Sequence, residues 1–153
     1  MDVTPSTRRV RALIVESFVE TGRAPTVCDL AERLALSRPE VLAAFRELAT
    51  IDTFAVEAGT DNIRLLSPFS NLPTAYRVSV DGRPGWFAVC GPESLAMSLM
   101  FPGRRIDVDA YCRDCCARIR LAMQDHRVLE QDGPLVVHLG VPVARWLADL
   151  PFA

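Results

Sequence analysis

The sequence predicts an α+β protein, an N-terminal winged helix packed on a small mixed α/β domain. Three observations carry that reading. Apolar residues recur at helical spacing through the first fifty positions, a turn-rich β-hairpin pattern follows them, and beyond a Pro/Ser/Asn linker the pattern shifts to short alternating strands. The expected boundary divides residues 1–70 from residues 71–153.

The first helix is expected over residues 8–21, where Val10, Leu13, Ile14 and Phe18 form one stripe and Gly22 stops it. A second begins at Thr26, whose Thr-x-x-Asp spacing with Asp29 resembles a capping box, with Leu30 and Leu34 inside. A third opens on Ser37-Arg38-Pro39-Glu40 and turns Val41, Leu42, Phe45 and Leu48 inward. Ile51–Val56 and Ile63–Leu66, separated by Gly59-Thr60-Asp61-Asn62, read as a hairpin. Three helices and a hairpin make the winged-helix order.

Ser67–Pro73 reads as the linker. After it Tyr76–Val80 and Trp86–Val89 form a hairpin about Asp81-Gly82, and a helix runs from Pro92 to about Met100 and ends at Pro102-Gly103. Ile106–Tyr111 and Ala117–Met123 alternate again, joined by a cysteine-rich turn. Leu135–Leu139 is expected as a last strand, followed by a short helix around Val143–Leu150.

Composition narrows the function. Half the residues are hydrophobic and 24% are charged, a globular balance, and the net charge of −2 gives no general pull toward nucleic acid or anionic membrane. No apolar run approaches the ~20 residues of a membrane span, and the N-terminus lacks a signal-peptide pattern. A cytoplasmic protein with five free thiols is therefore expected. The third helix presents Arg38, Glu40, Ala43, Ala44, Arg46 and Glu47 outward, a self-cancelling set with no amide side chain, so specific DNA binding is not expected.

Cys28 fits a small buried hydrophobe on its helix pair. Cys112-Arg113-Asp114-Cys115-Cys116 holds a Cys-x-x-Cys, half of a zinc site, and His126 and His138 do not complete it. Cys90 differs. It ends a strand before Gly91-Pro92-Glu93-Ser94, at the mouth of a helix, where amide groups and the helix dipole would lower its pKa. Glu93 would project near the same mouth as proton donor or metal-facing carboxylate. The plainer alternative is a strand-end core cysteine beside an ordinary first-turn acid.

The run Tyr76-Arg77-Val78, Asp81-Gly82-Arg83, Trp86-Phe87-Ala88-Val89-Cys90-Gly91-Pro92-Glu93-Ser94-Leu95, Gly103-Arg104-Arg105-Ile106, Cys112 and Ile119-Arg120-Leu121 resembles the alkylmercury (organomercurial) lyases. The resemblance implies cleavage of a carbon–mercury bond by two cysteine thiolates and one carboxylate, with no cofactor. It implies that Cys90 is the first thiol and mercury ligand, that Glu93 stands where the family has Asp, and that Cys112 supports the fold. The implied partners are an organomercurial or Hg(II) and low-molecular-weight thiols. The resemblance puts the second catalytic thiol on a strand beyond Trp146, so a chain ending at Ala153 is expected to be a fragment, cut by a frameshift, a stop or a UGA read as selenocysteine. The alternative from another class is a metal- or thiol-responsive winged-helix regulator sensing through Cys112, Cys115 and Cys116.

Overall fold

The computed structural model of the chain describes residues 3–51 and 53–137. Two compact units divide between Leu66 and Ser67. Among the described residues no helix is long and apolar enough to cross a membrane.

In the first unit α1 (Pro5–Thr21) starts earlier than the apolar stripe suggests. Thr4 caps it by accepting the Thr7 N–H at 3.2 Å, and Pro5 suits the first turn. Gly22, at φ 74°, ends it with its N–H on the Phe18 carbonyl. On α2 (Val27–Leu34) the capping box is complete: Thr26 N–H donates to Asp29 Oδ2 at 2.8 Å and Asp29 N–H donates to Thr26 Oγ1 at 3.1 Å. On α3 (Arg38–Ile51), Ser37 N–H donates to Glu40 Oε2 at 2.7 Å. Val10, Ile14, Phe18, Leu30, Val41 and Leu48 are fully buried. The strands β1 (Phe54–Val56) and β2 (Ile63–Leu66) pair antiparallel.

Three expectations for α3 change. Ala44 is buried, and Leu42 is only half-buried. Glu47 does not stand free on an outward face, because its carboxylate accepts from Thr4 N–H at 3.0 Å and from the Thr4 and Thr7 hydroxyls. Cys28 is also exposed rather than buried. It follows Val27, which takes the inward position at the start of α2.

The second unit is an antiparallel sheet whose described strands run in the order β3 (Phe69–Ser70), β5 (Arg83–Ala88), β4 (Arg77–Val80), β6 (Ile106–Tyr111), β7 (Arg118–Gln124) and β8 (Arg127–Gln131). Alternation on β6 turns Ile106, Val108 and Ala110 inward and leaves Asp107 and Asp109 half-buried on the other face. There Arg105 pairs with Asp107, and Arg118 with Asp109. Beyond β5 come α4 (Gly91–Ala96) and a 3-10 turn (Met97–Leu99), so the single helix expected to Met100 is two shorter pieces. Phe101 stacks edge-on against Trp86 at 5.3 Å and Phe69 at 6.4 Å.

The supposed linker contains β3, and both of its residues are buried. Leu135–Val137 form no strand, and the rest of that expected strand, with the helix around Val143–Leu150, lies outside the described residues.

Candidate active site

The second unit alone brings together Ser67, Tyr76, Cys90 and Glu93. β5 ends at Ala88, and Val89 N–H donates to the Pro68 carbonyl at 3.1 Å, which ties the segment entering β3 to the segment entering α4. Cys90 then stands at the N-cap of α4 in extended backbone, φ −151°. Its carbonyl accepts the Ser94 N–H at 3.0 Å, and Ser94 Oγ donates to the Gly91 carbonyl at 2.6 Å. The Tyr76 ring lies across Gly91, where a methyl group would meet its Cε1 at 3.6 Å and its hydroxyl at 3.7 Å. The aromatic ring thus covers the residue beside the thiol.

One turn into α4 the Glu93 carboxylate is held from two sides. Cys90 Sγ donates to Glu93 Oε2 at 3.5 Å. The Ser67 hydroxyl donates to Glu93 Oε1. Spacing alone put Cys90 beside Glu93. Ser67, 26 positions before Glu93, lies in the segment that reads as a linker, and no local pattern marks it.

The thiol does not behave as the sequence suggests. Burial, and then the neighbouring Glu93 charge, push the Cys90 pKa up from 9.0 to about 11. The Glu93 amide favours the thiolate, but Cys90 makes no side-chain capping bond to α4. A six-residue helix with a carboxylate at its mouth cannot offset desolvation of the anion. Cys90 therefore rests as a protonated thiol aimed at a base, and not as a preformed thiolate.

The other cysteines lie apart from this arrangement in sequence and in setting. Cys112, Cys115 and Cys116 form the β6–β7 turn, and the last two are exposed. The Cys112 pKa is lowered by the amides of Cys115 and Asp114 and by the Cys115 thiol. Among the described residues no group of three or more His, Cys, Asp or Glu is placed to hold a metal ion. His126 is exposed in the turn before β8, at φ 66°, and His138 lies outside the described residues.

An α+β chain with an antiparallel sheet and a thiol–carboxylate pair at a strand-to-helix junction is the setting in which the comparisons with known proteins fall. The alkylmercury lyase (MerB) family model matches residues 69–150, more than half of the chain, and the chain belongs to that family. Among solved structures the chain is similar to the mercury-bound form of MerB2, with a TM-score of 0.64 and 19% identity over 84% of this chain and 60% of that one. The chain thus spans about 60% of the neighbour's length, and the likeness is one of fold. No curated protein matches.

Proposed function

We propose that this chain captures an organomercurial through Cys90 and that Glu93 delivers the proton that cleaves the carbon–mercury bond. The observation that carries the reading is the Cys90 Sγ to Glu93 Oε2 contact at 3.5 Å. Family membership supplies the reaction class.

The chemistry follows from the resting state. Hg(II) in R–Hg–X is soft and prefers sulfur to any other side-chain donor. As the S–Hg bond forms, X⁻ leaves and the Cys90 proton passes to Glu93 Oε2. A raised thiol pKa is no obstacle, because the metal takes the proton's place while the adjacent carboxylate receives it. Glu93 is then a neutral acid beside a mercury-bound carbon. A second sulfur, from a low-molecular-weight thiol that gives up its proton to solvent, adds to mercury as thiolate and raises electron density on carbon. The Glu93 proton goes to carbon, R–H leaves, and Hg(II) stays bound by two sulfurs. Positioned proton transfer of this kind contributes roughly 10²–10⁴-fold.

Ser67 fixes which oxygen does this work. With Oε1 occupied by the Ser67 hydroxyl, Oε2 is the oxygen left facing the thiol. That anchor suits a Glu, whose extra methylene and extra torsion relative to Asp would otherwise let the acid drift. The regulator reading gains no comparable support, since Arg38 on α3 is paired with Asp61 and Glu47 is held by Thr4 and Thr7.

The test is benzene release from phenylmercury by the purified chain with excess thiol. Release above the thiol-only background, lost in Cys90→Ser, is the expected result. Equal release from both proteins contradicts the assignment.

A further inference from the structure

The turn joining β6 to β7 carries three thiols that the chemistry at Cys90 leaves unused. Cys112 N–H donates to the Ala117 carbonyl at 2.8 Å, and Cys116 N–H donates to the Cys112 carbonyl at 3.0 Å. The second bond, from i+4 to i, makes residues 112–116 one helix-like turn. Side chains three apart on such a turn are neighbours, with Cβ atoms about 5–6 Å apart, so Cys112 and Cys115 share one side of it. Cys116 takes a left-handed φ of 59°, the conformation that ends a helical turn, and the chain returns into β7. The amides of Asp114 and Cys115 and the Cys115 thiol are directed at the Cys112 sulfur. Cys115 is exposed and Cys112 half-buried, so the pair is open to a ligand from solvent.

We propose that Cys112 and Cys115 form a second soft-metal site, independent of Cys90, that holds one thiophilic cation such as Hg(II) between two sulfurs. The ligand class follows from the donor set. A zinc site needs four ligands, and among the described residues no group of three or more metal-binding side chains is assembled. A soft cation that accepts two thiolates needs no more than this turn offers. Binding releases both thiol protons to solvent, displaces the cation's chloride or water ligands, forms two S–Hg bonds and transfers no electrons. The two amides facing Cys112 are already in place to support the anionic sulfur.

The test uses the full chain carrying Cys28→Ser and Cys90→Ser, titrated with mercuric chloride against competing glutathione. Intact mass and sulfur-to-mercury charge-transfer absorption report binding. One Hg(II) per chain is expected, with Cys112 and Cys115 both protected from iodoacetamide. Adding Cys115→Ser should weaken binding by ~10²-fold or more, because two linked donors become one. Cys112→Ser should do the same, while Cys116→Ser leaves affinity unchanged. Circular dichroism checks that each variant is folded, and Cys115, exposed on the turn, is the substitution least able to disturb the sheet. Undiminished affinity in Cys115→Ser, an equal loss in Cys116→Ser, or mercury-bridged dimers on gel filtration would overturn the proposal.

Discussion

Cys90 Sγ donates to Glu93 Oε2 across 3.5 Å, with the two residues three positions apart at the start of α4. A thiol in that relationship is protonated at rest and has its proton acceptor already in place.

Labelling rates are expected to reverse the order that the sequence suggests. Only the thiolate alkylates, the Cys90 pKa is raised to about 11 and that of Cys112 is lowered. Iodoacetamide near neutral pH should therefore modify Cys112 ahead of Cys90, as peptide mass spectrometry would show. Glu93→Gln removes the negative charge and should move the Cys90 midpoint down. A midpoint that stays or rises would contradict the pairing.

Alkaline stability should report the same shift. The unfolded chain releases the Cys90 proton near 9.0 and the folded chain holds it to about 11, so stability present below the first value is lost as pH rises through the second. Cys90→Ala should flatten this part of the curve in urea unfolding at stepped pH. An unchanged slope assigns the alkaline loss to other groups.

Ser67→Ala removes the hydroxyl that holds Glu93 Oε1. Misplacing the acid by ~1 Å can cost ~10²-fold in rate, so kcat for benzene release should fall while Hg(II) affinity at Cys90 is kept. Ser67→Thr retains a hydroxyl and should recover most of the rate. Loss of rate and mercury affinity together would mark a structural role instead.

Phe101, 3% exposed, fills the space between Phe69 and Trp86. Phe101→Ala should cost about 3–5 kcal/mol in chemical denaturation through the cavity it leaves. A cost below 1 kcal/mol would mean that the aromatic group collapses around the gap.

What was legible in the sequence had local causes. Thr26 and Asp29 cap α2 because a three-residue spacing suffices, and Ile106–Tyr111 alternates because one face is buried. Cys90 and Glu93 meet for the same reason of spacing. The electrostatic outcome is not legible from spacing, since desolvation outweighs the few amides of a six-residue helix. β3 is hidden in the sequence because Ser67-Pro68-Phe69-Ser70-Asn71 carries turn residues, and only its pairing with β5 makes it a strand. β8 is hidden because all five of its residues are exposed, which removes the alternation that marks a half-buried strand. Ser67 reaches Glu93 only through tertiary structure, which no spacing encodes.

The division of labour between thiol and acid is tested most directly by following phenylmercury on Glu93→Gln with excess thiol, reading intact mass and headspace benzene together. The unsubstituted chain should release benzene and retain mercury that has lost its phenyl group. Glu93→Gln should hold the phenylmercury adduct on Cys90 and release no benzene above background, because loss of the Glu93 charge lets the Cys90 proton pass to solvent on capture, while cleavage needs the proton that Glu93 carries. Benzene release by Glu93→Gln at the unsubstituted rate, or an adduct mapped to another cysteine, would contradict the account.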